Sequence, residues 1–124
     1  MGDTIDPTLL KKLVDFLQRY LPYEDPELIS KYFEIHNQLG TIYYALDGDE
    51  VIGLVRFNTD GKTGNILDLV IHPDWRGKGL GNHFIRRALK TFPNGRFLVF
   101  QRGRKVNNKE RKIEISEFLK HNKF

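Results

Sequence analysis

Three glycines stand at alternate positions, Gly77, Gly79 and Gly81, inside the run Arg76-Gly77-Lys78-Gly79-Leu80-Gly81. The stretch before them, 66–71 (ILDLVI), is apolar and β-branched, reads as a strand, and is closed by Pro73. The stretch after them, 82–92 (NHFIRRALKTF), carries Phe84, Ile85, Ala88, Leu89 and Phe92 at helical spacing. A strand that passes into a helix through so much glycine has few ways to fold. Glycine tolerates positive φ and has no Cβ, so the segment is either a tight turn or a backbone that a phosphate approaches closely. The free N–H groups and positive dipole end of a helix's first turn favour an anion, provided no side chain blocks it.

The flanking segments supply the architecture. Asp6-Pro7 and Asp25-Pro26 each read as an N-cap followed by proline at the first helical position, opening two amphipathic helices, the second ending near Gly40. TIYYAL and VIGLVRF, separated by DGDE, read as a hairpin, and NTDGKTG turns the chain into the strand before the glycines. PNG (93–95) stops the later helix and RFLVFQ (96–101) is another strand, so strand, helix and strand close a parallel pair by a right-handed crossover. RKIEI (111–115) alternates as a strand does, with SEFLKH a short helix capped by Ser116; one continuous helix from Asn108 is the alternative. The order is that of an α/β chain of the α+β type: two N-terminal helices, an antiparallel meander, then a strand–loop–helix–strand crossover.

The 124 residues fit one domain, 1–124, and 40% hydrophobic content is enough for a core without staples. With no cysteine, disulfides, thiol nucleophiles and cysteine-based zinc sites are excluded, which suits a cytoplasmic location. No apolar run approaches the roughly 20 residues of a membrane helix, and MGDTIDP resembles neither a signal nor a transit peptide. His36, His83 and His121 lack metal-ligand spacing and read as ordinary, partly exposed residues, so no metal is expected. Ser30 and Ser116 sit in no nucleophile elbow, which argues against a covalent hydrolase.

Among phosphate loops, the P-loop pattern is missing. The dinucleotide fingerprint would need glycine where Asn82 stands. Arg/Gln-x-x-Gly-x-Gly/Ala after a strand and before a helix is satisfied by Arg76 to Gly81. With these residues, LDLVIHPDWRGKGLG resembles the central motif of the GCN5-related N-acetyltransferase (GNAT) superfamily; the strong match runs from Ile66 to Leu89.

The resemblance implies the acyl-CoA N-acyltransferase fold, acetyl-CoA as co-substrate, and transfer of its acetyl group to an amine by direct attack. Gly77, Lys78, Gly79, Leu80 and Gly81 would offer backbone N–H groups to the pyrophosphate, with Arg76 adding charge at its edge. Backbone groups of Leu69, Val70 and Ile71 would pair with the pantetheine arm, one N–H facing the thioester oxygen. Asp68 is the candidate to take the amine's proton; the alternative is that it pairs with a basic neighbour or caps a bulge. His72 is a spacer. The acceptor, a small-molecule or protein amine, would lie near Tyr20, Tyr23, Tyr32 and Tyr43. Leu119 stands beside Phe118 where many relatives carry a tyrosine acid, so no general acid is assigned. A recognisable first strand is missing, leaving an edge that a second copy can complete in a homodimer.

Two other functions compete. One is a catalytically idle acyl-CoA-binding module. The other is a nucleic-acid binder or modifier using the basic edge Arg96, Arg102, Arg104, Lys105, Lys109, Arg111 and Lys112, opposed by Glu110 alone in a chain of net charge +4. Phe97 and Phe100, the aromatics of that edge, read as core.

Overall fold

The computed structural model describes residues 5–20, 22, 24–101 and 110–121. Both aspartate–proline pairs begin helices as their chemistry requires. The Asp6 carboxylate accepts from the N–H groups of Thr8 and Leu9 (3.1 and 3.2 Å) ahead of α1, Pro7–Tyr20. Asp25 accepts from Glu27 N–H (3.0 Å) ahead of α2, Pro26–Leu39, and α2 stops at Gly40, whose φ of 74° is the left-handed C-cap conformation.

A meander follows: β1 (Ile42–Asp47), β2 (Glu50–Thr59) and β3 (Thr63–Ile71), each antiparallel to the one before. A 3-10 turn over Pro73–Trp75 and the glycine segment lead into α3, Leu80–Leu89. β4 (Phe97–Gln101) is parallel to β3, and β5 (Glu110–Glu114) is antiparallel to β4. The short helix α4, Ile115–His121, ends the described chain, so the strand-plus-helix reading of the C-terminal region holds over the continuous helix. The sheet runs in the order β1-β2-β3-β4-β5. α3 ends three residues earlier than its apolar spacing predicts, and the Phe92 ring beyond it fills the space beside Gly64 and Gly95.

Strand alternation sorts the side chains into two cores. Leu54 joins Leu13, Phe16, Leu17 and Phe33 under α1 and α2, while Val55 and Phe57 join Phe84, Ile85 and Phe118 under α3 and α4. Neighbouring Tyr43 and Tyr44 therefore face opposite ways. Tyr44 packs with the α1/α2 core. Tyr43 lies on the α3 side, 5.4 Å from the Phe57 ring and with the Arg87 guanidinium 4.1 Å above it; burial raises its pKa against the pull of Arg87. This corrects the expectation that Tyr43 borders an acceptor groove beside the helices. Tyr23 lies outside the described residues.

Two irregularities shape the middle of the sheet. Arg56 is opposite Asp68 but Phe57 is opposite Ile66, so β3 advances two residues while β2 advances one, and Leu67 is the extra residue of a bulge. β3 and β4 pair only over Thr63–Ile66 with Phe97–Phe100. β4 ends at Gln101, and among the described residues Leu69, Val70 and Ile71, the half-buried last residues of β3, have no β4 partner; this side of β3 is the candidate cleft.

Candidate functional site

The glycine segment follows β3 and adjoins its last residue, Ile71. Gly77 and Gly79 have φ of 76° and 86°, a conformation costly for any residue with a Cβ, and they fold the chain into the start of α3. Gly79 caps the helix with no side-chain hydrogen bond. The first intrahelical bond runs from His83 N–H to the Gly79 carbonyl (2.9 Å), which leaves the N–H groups of Leu80 and Gly81 pointing out of the helix end. A depression of about 240 Å³ there is lined by Ile71, Trp75, Arg76, Gly77, Gly79, Leu80, Gly81 and Asn82.

Gly81 differs from the other two. It is helical, and a Cβ built on it would meet Ile71 and Leu69 side chains only at 4.0 Å, an ordinary contact. Neither backbone conformation nor the protein's own packing demands glycine here. A side chain at 81 would lie over Ile71 and Leu69, beside the depression that Gly81 and Ile71 both line; the N–H groups and dipole of this helix end are what would hold a pyrophosphate. The chain thus fits the co-substrate that its sequence motif implies.

The basic side chains of the segment have local partners. Arg76 Nε donates to the Ile71 carbonyl (2.9 Å) and its guanidinium is 5.9 Å from the Tyr20 ring, tying the segment back to the end of β3 and to α1. Lys78 lies 5.2 Å above the Trp75 ring. His72, the expected spacer, caps the 3-10 turn by accepting from Asp74 N–H (3.1 Å), and its own N–H donates to the Ile52 carbonyl (2.8 Å). Gly53, a residue the sequence reading passed over, lets α3 approach: a Cβ on it would sit 2.9 Å from Leu80 and 3.0 Å from Phe84. Glycine inside a β-branched run was the available signal.

Deeper in the cleft, Leu69, Val70 and Ile71 are half-buried despite being apolar. Asp68 is beside them on β3. Its carboxylate is 2% exposed and accepts from Arg56 Nε at 2.7 Å across the strand pair. Arg56 in turn has the Tyr32 ring 5.6 Å from its guanidinium and His36 Nε2 3.4 Å from Nη1.

His36 is buried, at 8% exposure, which corrects its reading as a partly exposed residue. Its Nδ1 is 2.7 Å from Thr41 Oγ1. Because Nε2 faces a guanidinium donor, the proton belongs on Nδ1 and the ring is neutral. Burial, and then Arg56, push the His36 pKa below its usual value. Sequence reasoning missed Arg56 and His36. An arginine inside VIGLVRF, facing an aspartate inside ILDLV, was the signal.

At the C-terminal end, Phe118 is buried in the α3-side core and Leu119 is 38% exposed, so among the described residues no tyrosine takes the acid position. Arg102, Arg104, Lys105 and Lys109 of the basic edge lie outside the described residues. Phe100 packs into the α3-side core, as expected. Among the described residues no cluster of metal-ligating side chains occurs, and no helix is long and apolar enough to cross a membrane.

Three of the solved structures that share the fold illustrate the likeness. An aminoglycoside 6'-N-acetyltransferase crystallised with coenzyme A superposes with a TM-score of 0.59 at 19% identity, over 77% of this chain and 56% of that one. A GNAT-family acetyltransferase from Streptococcus pneumoniae does so with a TM-score of 0.55 at 26% identity, over 80% and 72%. Tetrahymena GCN5 does so with a TM-score of 0.56 at 20% identity, over 77% and 61%. This chain therefore spans little more than half the length of the first of them. The family model described as acetyltransferase (GNAT) family matches residues 10–110, most of the chain, from the first turn of α1 to the first residue of β5. The chain belongs to the GNAT acetyltransferase family.

Proposed function

We propose that the protein is an acyl-CoA-dependent N-acyltransferase that moves an acetyl group from acetyl-CoA to the amine of a small molecule or protein. The observation that carries this reading is Gly81, a glycine that a Cβ's contacts do not require, at a helix start that shares a depression with Ile71, the last residue of β3. In this reading the N–H groups of Gly77 to Gly81 hold the pyrophosphate. Arg76 keeps the segment against Ile71 and Lys78 adds charge. Acetyl-CoA supplies the acyl group in activated form, as a thioester. Backbone groups of Leu69, Val70 and Ile71 pair with the pantetheine arm; a fixed N–H donor there is well placed to stabilise negative charge developing on the thioester oxygen.

The attacking amine must be neutral. Of the two roles proposed for Asp68, proton acceptor and buried partner of a basic residue, its 2% exposure and its bond to Arg56 support the second, and the amine's proton then passes to water. The departing thiolate is a good leaving group near neutrality, so Leu119 in the acid position does not prevent turnover.

The test is binding and turnover together. At a concentration 100 times its Kd, acetyl-CoA should stabilise the fold by about 2.7 kcal/mol, and coenzyme A should be released in the presence of some member of an amine panel. Binding without release across the panel would leave an acyl-CoA-binding module. No stabilisation by acetyl-CoA would remove the assignment altogether.

A further inference from the structure

The Arg56–Asp68 pair occupies the one step at which β2 and β3 change register. We propose that Arg56 is a positioning residue for acyl transfer: by holding Asp68 across this step, it keeps the extra residue of β3 at Leu67 and so decides which backbone N–H groups face the cleft. The inference rests on the acyltransferase reading and goes beyond it, since Arg56 lies outside the glycine segment and touches no substrate.

The argument follows the strand outward from the bulge. His72 N–H donates to the Ile52 carbonyl of β2. N–H directions alternate along an antiparallel strand, so Val70 N–H also points to β2, while those of Ile71 and Leu69 point the other way, toward the side of β3 on which β4 pairs with Thr63–Ile66. The side chains alternate with them: Val70 packs on the α1/α2 core, Leu69 and Ile71 on the α3 core. A slip of one residue would exchange the two sets and present Val70 N–H to the cleft instead.

Apolar packing resists such a slip weakly here, because all three residues are half-buried. The ion pair resists it strongly. Asp68 is 2% exposed and bonded to Arg56 Nε at 2.7 Å, and Arg56 is opposite it only in the observed register. Arg56 is itself restrained by Tyr32 and by His36, which Thr41 holds through Nδ1. At 12% exposure, and with those neighbours, it is poorly placed to bind an acceptor.

Two variants test this. Arg56→Met/Asp68→Leu removes both charges together and leaves neither stranded. It should still bind coenzyme A through the glycine segment, within about tenfold of the parent. Amide hydrogen exchange should differ: in the parent, coenzyme A should slow exchange at Leu69 and Ile71, and in the double variant that protection should be lost. Turnover should fall about 10²-fold, the scale of one misplaced donor, with little change in KM for the amine.

Asp68→Asn keeps an oxygen for Arg56 Nε and should hold turnover within about fivefold of the parent at every pH, since one neutral acceptor replaces a charged one without moving the strand. Unchanged amide protection in the double variant would overturn the proposal, and so would turnover within threefold of the parent. A loss of 10² or more in Asp68→Asn that shrinks as pH rises would overturn it in favour of a proton acceptor. The exchange pattern is read with coenzyme A alone, so it decides the question even if no amine in the panel is acetylated.

Discussion

The two ends of the cleft are built by opposite means. At the glycine segment the protein presents backbone: two positive-φ residues, an uncapped helix end and a helical glycine where a Cβ would make only ordinary contacts. Arg56 and Asp68, 12 residues apart in sequence, make the other end from side chains: a buried ion pair with Tyr32 and neutral His36 against it. A backbone site is cheap to hold open because its polar groups are solvated when nothing is bound. A buried side-chain site must be satisfied within the protein at all times. The first end should therefore fail through lost binding, and the second through lost stability or lost aim.

Breaking one half of the ion pair should give the largest effect. Arg56→Met removes the arginine from a buried carboxylate and should cost about 3 kcal/mol of folding stability, most easily read as a lowered denaturant midpoint. Any folded fraction should still bind coenzyme A. Gly81→Val is the opposite case. The parent's Tm should survive, because a Cβ there makes only ordinary 4.0 Å contacts with Ile71 and Leu69, while affinity for coenzyme A falls at least about 100-fold, near 2.7 kcal/mol. A Gly81→Val protein that folds and binds like the parent would erase the distinction between the two ends.

The same contrast explains what could be read from the sequence. The segment from Arg76 to Gly81 is local: its dihedrals, its cap and the strand and helix on either side lie within a few residues, and glycine at fixed spacing encodes them directly. The Asp6 and Asp25 caps were legible for the same reason. The pairing of Arg56 with Asp68 depends on the register of two strands, and that register includes a one-residue bulge that no local residue announces. His36 reaches Arg56 across 20 residues, from the last turn of a helix onto a strand. Placing Tyr43 near the acceptor treats the first hairpin as one surface, although Tyr43 and its neighbour Tyr44 face opposite ways. Strand alternation, which separates the two, was the rule that would have prevented it.

Acid should expose the difference without mutation. His36 is held neutral, with a pKa below 6.5, so between its folded and unfolded values the unfolded chain binds the extra proton. Its contribution to stability is therefore whole above pH 6.5 and is lost as pH falls through the depressed folded value. The proton would arrive on Nε2, facing the Arg56 guanidinium, so the loss should be felt at the ion pair. Denaturant titrations on either side of that pH should show the parent weakening, and His36→Gln, which cannot titrate, should weaken less. Equal pH slopes for the two proteins would mean that His36 is protonated without cost.

The smallest effect should come from the most conspicuous side chain of the glycine segment. Lys78 is exposed, and its ammonium lies 5.2 Å above the Trp75 ring. If the pyrophosphate is held by main-chain N–H groups, the lysine contributes only a solvated charge nearby, worth well under about 1 kcal/mol and screened by salt. Lys78→Ala should then raise the Kd for coenzyme A about threefold at low ionic strength and by less in 0.5 M salt, roughly the scale of a single exposed charge. Arg76→Ala should cost more than this at either salt concentration, because Arg76 also anchors the segment to the Ile71 carbonyl. Calorimetric titrations of the three proteins at two ionic strengths make the comparison. If Lys78→Ala lost as much affinity as Gly81→Val, and lost it equally in high salt, the pyrophosphate would be held by a side chain and the backbone account of this end of the cleft would fail.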